Sequence, residues 1–159
     1  MYTKENFLSS LENEVRIIKH LGTKVTQEML EYRPSPSQRS TLELMQYISA
    51  VGAGVMKSVL VGDVKVWADY DEFRKGVSLE NFTEKMDAQL ADMKDNFSKF
   101  SDEDFSKEGD FYGKAPISVH MINILRNLSA YRMQLFLYIK ANGVSVNTMN
   151  LWAGMDGNM

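Results

Sequence analysis

Four polar side chains in the stretch PISVHMINILRNLSAYRMQLFLYIKANG, Pro116 to Gly143, are spaced to share one side of a helix. They are His120, Asn127, Tyr131 and Tyr138, the last three lying seven, eleven and eighteen residues beyond the first. These intervals approach whole turns of an α-helix, which repeats about every 3.6 residues. Ile117, Met121, Ile124, Leu128, Leu135 and Ile139 recur on the same side, as a core-facing stripe should. Hydrogen-bonding groups turned inward in this way either staple a core or line a pocket. Other chemistry is sparse. With no cysteine, disulfides, thiolate nucleophiles and zinc–sulfur sites are excluded, and His20 and His120 are too few for a three-histidine metal site in one chain. Glu43 reads as a helix cap rather than a general base, and Asp102, Glu103 and Asp104 fall in a predicted loop, where charge is solvated.

The apolar spacing supplies a scaffold for these groups. Residues 3–31 predict a first helix, with Phe7, Leu11, Val15, Ile18, Leu21, Val25 and Met29 on its stripe and Glu5 at its positive end. Gly22 costs that helix about 1 kcal/mol against Ala and marks close packing or a break. His20 falls off the stripe and is expected in solvent. Two prolines and three serines in EYRPSPSQRS stop the helix. Ser40 or Thr41 then caps a second helix over about 40–61, with Glu43 placed to complete a capping box. The centre of that helix, Ala50, Gly52, Ala53 and Gly54, is small enough for a neighbouring backbone or a ligand to approach. It is no phosphate loop, because no strand precedes it.

Residues 62–78 predict a long crossover with one short helical turn, its Trp67, Tyr70 and Phe73 folded onto the bundle. A third helix over about 79–100 carries Phe82, Met86, Leu90, Met93, Phe97 and Phe100 in one stripe. The acidic, turn-rich segment 101–115 leads to Pro116, which opens the fourth helix. Beyond Gly143 no helical period remains, and Trp152 is expected to dock on the bundle. The eleven methionines are read as fillers of irregular core gaps. The resulting fold class is all-α, a four-helix bundle with long crossover connections, in a single domain spanning 1–159.

A net charge of −3 with scattered Lys and Arg gives no footprint for nucleic acid. No apolar run approaches the roughly 18 residues of a spanning helix, so no membrane partner is expected. The N-terminal MYTKENFLSSLENEV is amphipathic and acidic rather than signal-like, which makes the cytoplasm the expected location.

Two segments resemble the DinB-like (damage-inducible) four-helix-bundle superfamily. Helix two of that family follows a Pro/Ser-rich turn and reads roughly S-x-x-E-L-L-x-H, while helix four reads roughly H-x-x-x-H-R-x-Q before an apolar run ending near glycine. RSTLELMQYI resembles the first, with Tyr47 in the histidine's place. NLSAYRMQLFLYIKANG resembles the second, with Asn127 and Tyr131 in the two histidine places and Arg132, Gln134 and Leu135 kept. RPSPSQRS and Trp152 are also similar to family members. The resemblance implies homodimers through helix faces, and a divalent metal, often nickel or zinc, on three histidines. In some relatives that metal activates a low-molecular-weight thiol for S-transfer.

All three ligand positions are altered in this sequence. A phenol with a pKa of about 10 and a neutral amide hold such metals poorly. His120 lies roughly 10 Å along the axis from Asn127 at 1.5 Å per residue, too far to join Tyr131 around one ion. Neither a metal nor another cofactor is therefore expected, no catalytic set stands out, and the chain leans away from being an enzyme. Tyr47, Asn127 and Tyr131 are expected to form a hydrogen-bonded cluster in the former metal position. That cluster either satisfies itself in the core or borders a cavity for a small polar ligand, with His120 or Gln134 at its edge. The alternative is a metal-dependent hydrolase or thiol S-transferase with remodelled ligands.

Overall fold

The computed structural model describes residues 3–157. Four long helices form the bundle: α1 (Lys4–Gly22), α2 (Thr41–Val61), α4 (Phe82–Ser98) and α5 (Ile117–Ala141). A 3-10 turn at Val64–Tyr70 and the short α3 (Asp71–Lys75) make up the crossover before α4. Helices α1 and α2 each pack on both α4 and α5, which places α1 and α2 at opposite corners. The all-α class and the bundle architecture are as expected.

Capping fixes where α1 and α2 begin. Thr3 Oγ1 accepts the Asn6 N–H at 3.2 Å while Asn6 Oδ1 accepts the Thr3 N–H at 3.1 Å. Ser40 does the same with Glu43, Oγ accepting at 3.2 Å and Glu43 Oε2 returning at 2.9 Å. Orphan donors of α2's first turn are met by the preceding loop, Thr41 N–H on the Tyr32 carbonyl and Leu42 N–H on the Leu30 carbonyl, both at 3.0 Å.

Helix α2 has almost no solvent face. Its most apolar 18-residue window has a mean hydropathy of 1.4, enough by length and composition for a membrane span, yet 72% of that window is buried inside the protein. It is the core helix of the bundle. Gln89 of α4, itself buried, reaches its backbone: Oε1 accepts the Gly52 N–H at 2.8 Å and Nε2 donates to the Ile48 carbonyl at 2.9 Å. On another side of α2 the crossover lays Trp67 against Gly54, where a Cβ would stand 2.2 Å from the indole ring. The small residues at the centre of α2 admit close packing from two directions.

Five expectations need correction. Helix α1 ends at Gly22, not near residue 31: the chain turns at Thr23, whose N–H donates to the Lys19 and His20 carbonyls, and the Phe82 ring packs where a Gly22 Cβ would point, at 2.5 Å. Val25, Met29 and Leu30 are still buried, so the apolar period runs on through a loop and imitates a longer helix. Segment 101–115 is not only turn: β1 (Glu108–Asp110) and β2 (Lys114–Pro116) form a hairpin pairing Gly109 with Ala115, and Pro116 ends β2 as well as preceding α5. The tail contains one wide helical turn, Met149–Ala153. His20 is not in solvent: its side chain is 16% exposed and its Nε2 lies 3.1 Å from Asn150 Nδ2. Burial first, and Lys24 next, hold its pKa below the usual value. Trp152 stacks over the Arg132 guanidinium at 4.8 Å yet remains 60% exposed, so it is a partial dock.

Replacing Gly54 by Ala tests the packing of the crossover. Helix propensity alone favours Ala by about 1 kcal/mol. The blocked indole reverses the sign, and Gly54→Ala is expected to destabilise by about 1–3 kcal/mol in urea unfolding.

Candidate functional site

The polar ladder of α5 is divided among three neighbourhoods. Near the start of the helix, His120 is buried and its Nε2 lies 3.2 Å from the Gly109 carbonyl of β1. A carbonyl can only accept, so Nε2 donates in this contact. His120 and Asn127 line one cavity of about 690 Å³ between the hairpin and α5, with Val55 of α2 and Phe111 among its apolar walls. The half-buried Asn127 amide makes no hydrogen bond among the described residues, although it borders this space.

One turn further on, Tyr131 leaves the cavity for an aromatic cluster. Its ring meets Tyr47 of α2 edge-on, centroids 4.9 Å apart, and Tyr47 in turn touches Trp67 at 6.0 Å. The guanidinium of Arg39 covers the cluster, 4.0 Å from the Tyr47 ring centroid and 5.9 Å from that of Tyr131. Arg39 has no carboxylate partner among the described residues, so the two rings are its principal neighbours. Burial, then the adjacent Tyr131 phenol, push the Tyr47 hydroxyl up to about 12. Tyr47 and Tyr131 are therefore brought together, whereas Asn127 faces a different space.

The third neighbourhood holds Arg39 in place. Gln134 Nε2 donates to Tyr138 Oη at 2.7 Å, and Tyr138 Oη donates to the Arg39 carbonyl at 3.1 Å. Tyr32 packs edge-on against Tyr138 at 5.5 Å. Gln134 works with Tyr138 as a strut for the loop before α2 and does not line the Asn127 cavity.

Zinc or nickel does not fit the side chains at positions 47, 127 and 131. Tyr47 keeps its proton far above neutrality, Asn127 offers only a neutral carbonyl, and a fixed cation already lies on the Tyr47 ring. Among the described residues, no three or more His, Cys, Asp or Glu are grouped so as to hold a metal ion. Glu43 is occupied as the α2 cap and by both Arg33 guanidinium nitrogens at 2.7 and 3.0 Å; the Arg33 contact holds its carboxyl below the usual range.

Sequence reasoning missed two groups. One is Arg39, whose role depends on a loop conformation. The other is an ion pair between α1 and α5, in which Arg132 Nη1 lies 3.2 Å from Glu14 Oε2 with side chains 6% and 9% exposed. Glu14 Oε1 and Arg132 Nε are buried without a hydrogen-bond partner. Burial raises the Glu14 pKa, with Arg132 and then Ser129 opposing it. A signal existed, since Glu14 falls three residues after Leu11 on the core stripe of α1, and Arg132 falls between Leu128 and Leu135 on that of α5.

No protein-family model and no curated protein sequence matches the chain. Solved structures do match in shape. A DinB-like protein from Bacillus subtilis, YjoA, aligns with a TM-score of 0.73 at 14% identity, over 88% of this chain and 94% of its own. A DinB-like protein from Bacillus cereus ATCC 10987 aligns with a TM-score of 0.73 at 20% identity, over 92% and 98%. The fold is that of DinB-like proteins.

Two outcomes test this geometry. Glu14→Gln leaves a buried guanidinium unpaired and is expected to destabilise by about 3–5 kcal/mol, while Glu14→Leu with Arg132→Met recovers most of the loss in chemical denaturation. A folded-state pKa of about 12 against 10 for the free phenol means that Tyr47 supports folding below pH 10 and loses that contribution as pH rises toward 12. In Tyr131→Phe the Tyr47 pKa, followed by NMR of the ring carbon bearing the hydroxyl, is expected to fall while staying above 10, because burial is its larger cause.

Proposed function

We propose that this protein is a metal-free member of the DinB-like group that binds a small polar molecule in the cavity between the β1–β2 hairpin and α5. The observation that carries this is Asn127. It stands at the edge of about 690 Å³ of open space with its amide unused, beside a histidine whose Nε2 donates to the Gly109 carbonyl. Polar groups next to a protein cavity find partners, and those without a protein partner are left for water or a ligand. The Tyr47–Tyr131–Arg39 cluster takes the structural share of the former metal position, closing it with rings and a tethered cation. No nucleophile and base are paired in the cavity, so the proposed activity is binding rather than turnover.

Ala130 lines the same cavity from an exposed position on α5, so Ala130→Trp fills the space at little cost to the core. Thermal unfolding of both proteins against small amides, polyols and carboxylates is expected to show at least one class that stabilises only the unaltered chain. A ligand at a hundredfold excess over its Kd adds about 2.7 kcal/mol. Identical responses from the two proteins would remove the binding role and leave Asn127 as a surface amide. Elemental analysis of protein purified without chelators is expected to find far less than one zinc or nickel ion per chain. A tightly held stoichiometric metal would instead establish the remodelled hydrolase or S-transferase.

A further inference from the structure

From the charge and ring placement around this cavity we infer that its ligand is a small aromatic carboxylate, an inference that rests on the cavity being a binding site at all. Helix α5 contains no Asp or Glu in its 25 residues. Its exposed Arg126 lines the cavity, donates from Nη1 to Asn123 Oδ1 at 3.2 Å and pairs with no carboxylate among the described residues. Lys114 stands across the opening on β2, held by Glu108 at 2.9 Å. The other hairpin acid near Lys114, Asp110, has its Oδ1 engaged by the Gly113 N–H at 3.0 Å. Of the two cations that line the cavity, Lys114 and Arg126, only Arg126 has no carboxylate partner among the described residues, and its fork suits one.

The hairpin tip supplies a different chemistry. Tyr112 is 82% exposed, lines the cavity and has a φ of 54°, the left-handed conformation that bulky residues rarely adopt. That conformation belongs to the three-residue turn between β1 and β2, which carries the Tyr112 ring at the mouth of the cavity. Phe111 packs edge-on against it at 5.0 Å and lines the same space. The cavity therefore has an aromatic rim, a cation at its edge, and the Asn127 amide along its wall. A flat ring bearing one carboxylate uses all of these: the ring stacks at Phe111 and Tyr112, and the carboxylate meets Arg126.

The test uses the full chain and isothermal titration with benzoate, its neutral isostere benzamide, and acetate, which has the charge without the ring. Benzoate is expected to bind at least about tenfold more tightly than either, a ratio equivalent to about 1.4 kcal/mol. Arg126→Gln, at an exposed position, is expected to lower benzoate to the level of benzamide and leave benzamide unchanged. Tyr112→Gly, which relieves the strained backbone, is expected to weaken benzoate and benzamide alike. Equal binding of benzoate and benzamide, or an unaltered ratio in Arg126→Gln, overturns the carboxylate while the cavity reading stands. Equal binding of benzoate and acetate overturns the ring. If none of the three binds, the inference is overturned, and the cavity reading is then decided by the Ala130→Trp comparison.

Discussion

Gln89 bonds to two backbone groups of α2 that are normally partners of each other. The Gly52 N–H and the Ile48 carbonyl are four residues apart in the helical ladder, and one buried amide answers both. This is possible because Gly52 carries no Cβ; one built there would stand 2.5 Å from Met93 Sδ and 3.2 Å from the amide oxygen itself. The contact brings α4 tight against α2, and Gly54 admits the crossover at Trp67. Buried on nearly every side, α2 becomes the reference against which α4, α5 and the crossover are placed.

The candidate site inherits this geometry step by step. Trp67, seated on Gly54, touches Tyr47; Tyr47 meets Tyr131; and both rings sit under Arg39, whose carbonyl is held by Tyr138. Tyr47 and Tyr131 lie ring against ring beneath the Arg39 guanidinium, and the Tyr47 hydroxyl is pushed up to about 12. A guanidinium over an aromatic face is stabilised by the ring quadrupole without needing anionic ligands. The cation over these rings belongs to the chain itself. Asn127, one turn earlier, is left outside this closed cluster and facing the hairpin cavity.

The core also contains polar strain. The Glu14–Arg132 pair is buried with one atom on each side unanswered, and Trp152 of the tail lies over its guanidinium. A buried pair of this kind costs desolvation on both sides, which makes it weak as a source of stability but demanding about partners. It ties the middle of α1 to the middle of α5 and brings the tail against the bundle.

The sequence by itself determined the four long helices, the capping box at Ser40 and Glu43, and the all-α class. Apolar spacing and short-range cap chemistry are local properties, and they sufficed to locate each of these helices though not to end α1. It also brought Tyr47 and Tyr131 to one place through their likeness to ligand positions. Only the tertiary structure decided where α1 stops, because the apolar period continues past Gly22 through Val25, Met29 and Leu30, which are buried outside the helix. It decided that 101–115 contains a hairpin, since three-residue strands leave no readable alternation. It separated Asn127 from Tyr131 although they are four residues apart on one helix, because the hairpin lies over one and Arg39 over the other. The position of Arg39 depends on a hydrogen bond to a tyrosine 99 residues away, and such long-range partners leave no trace in spacing.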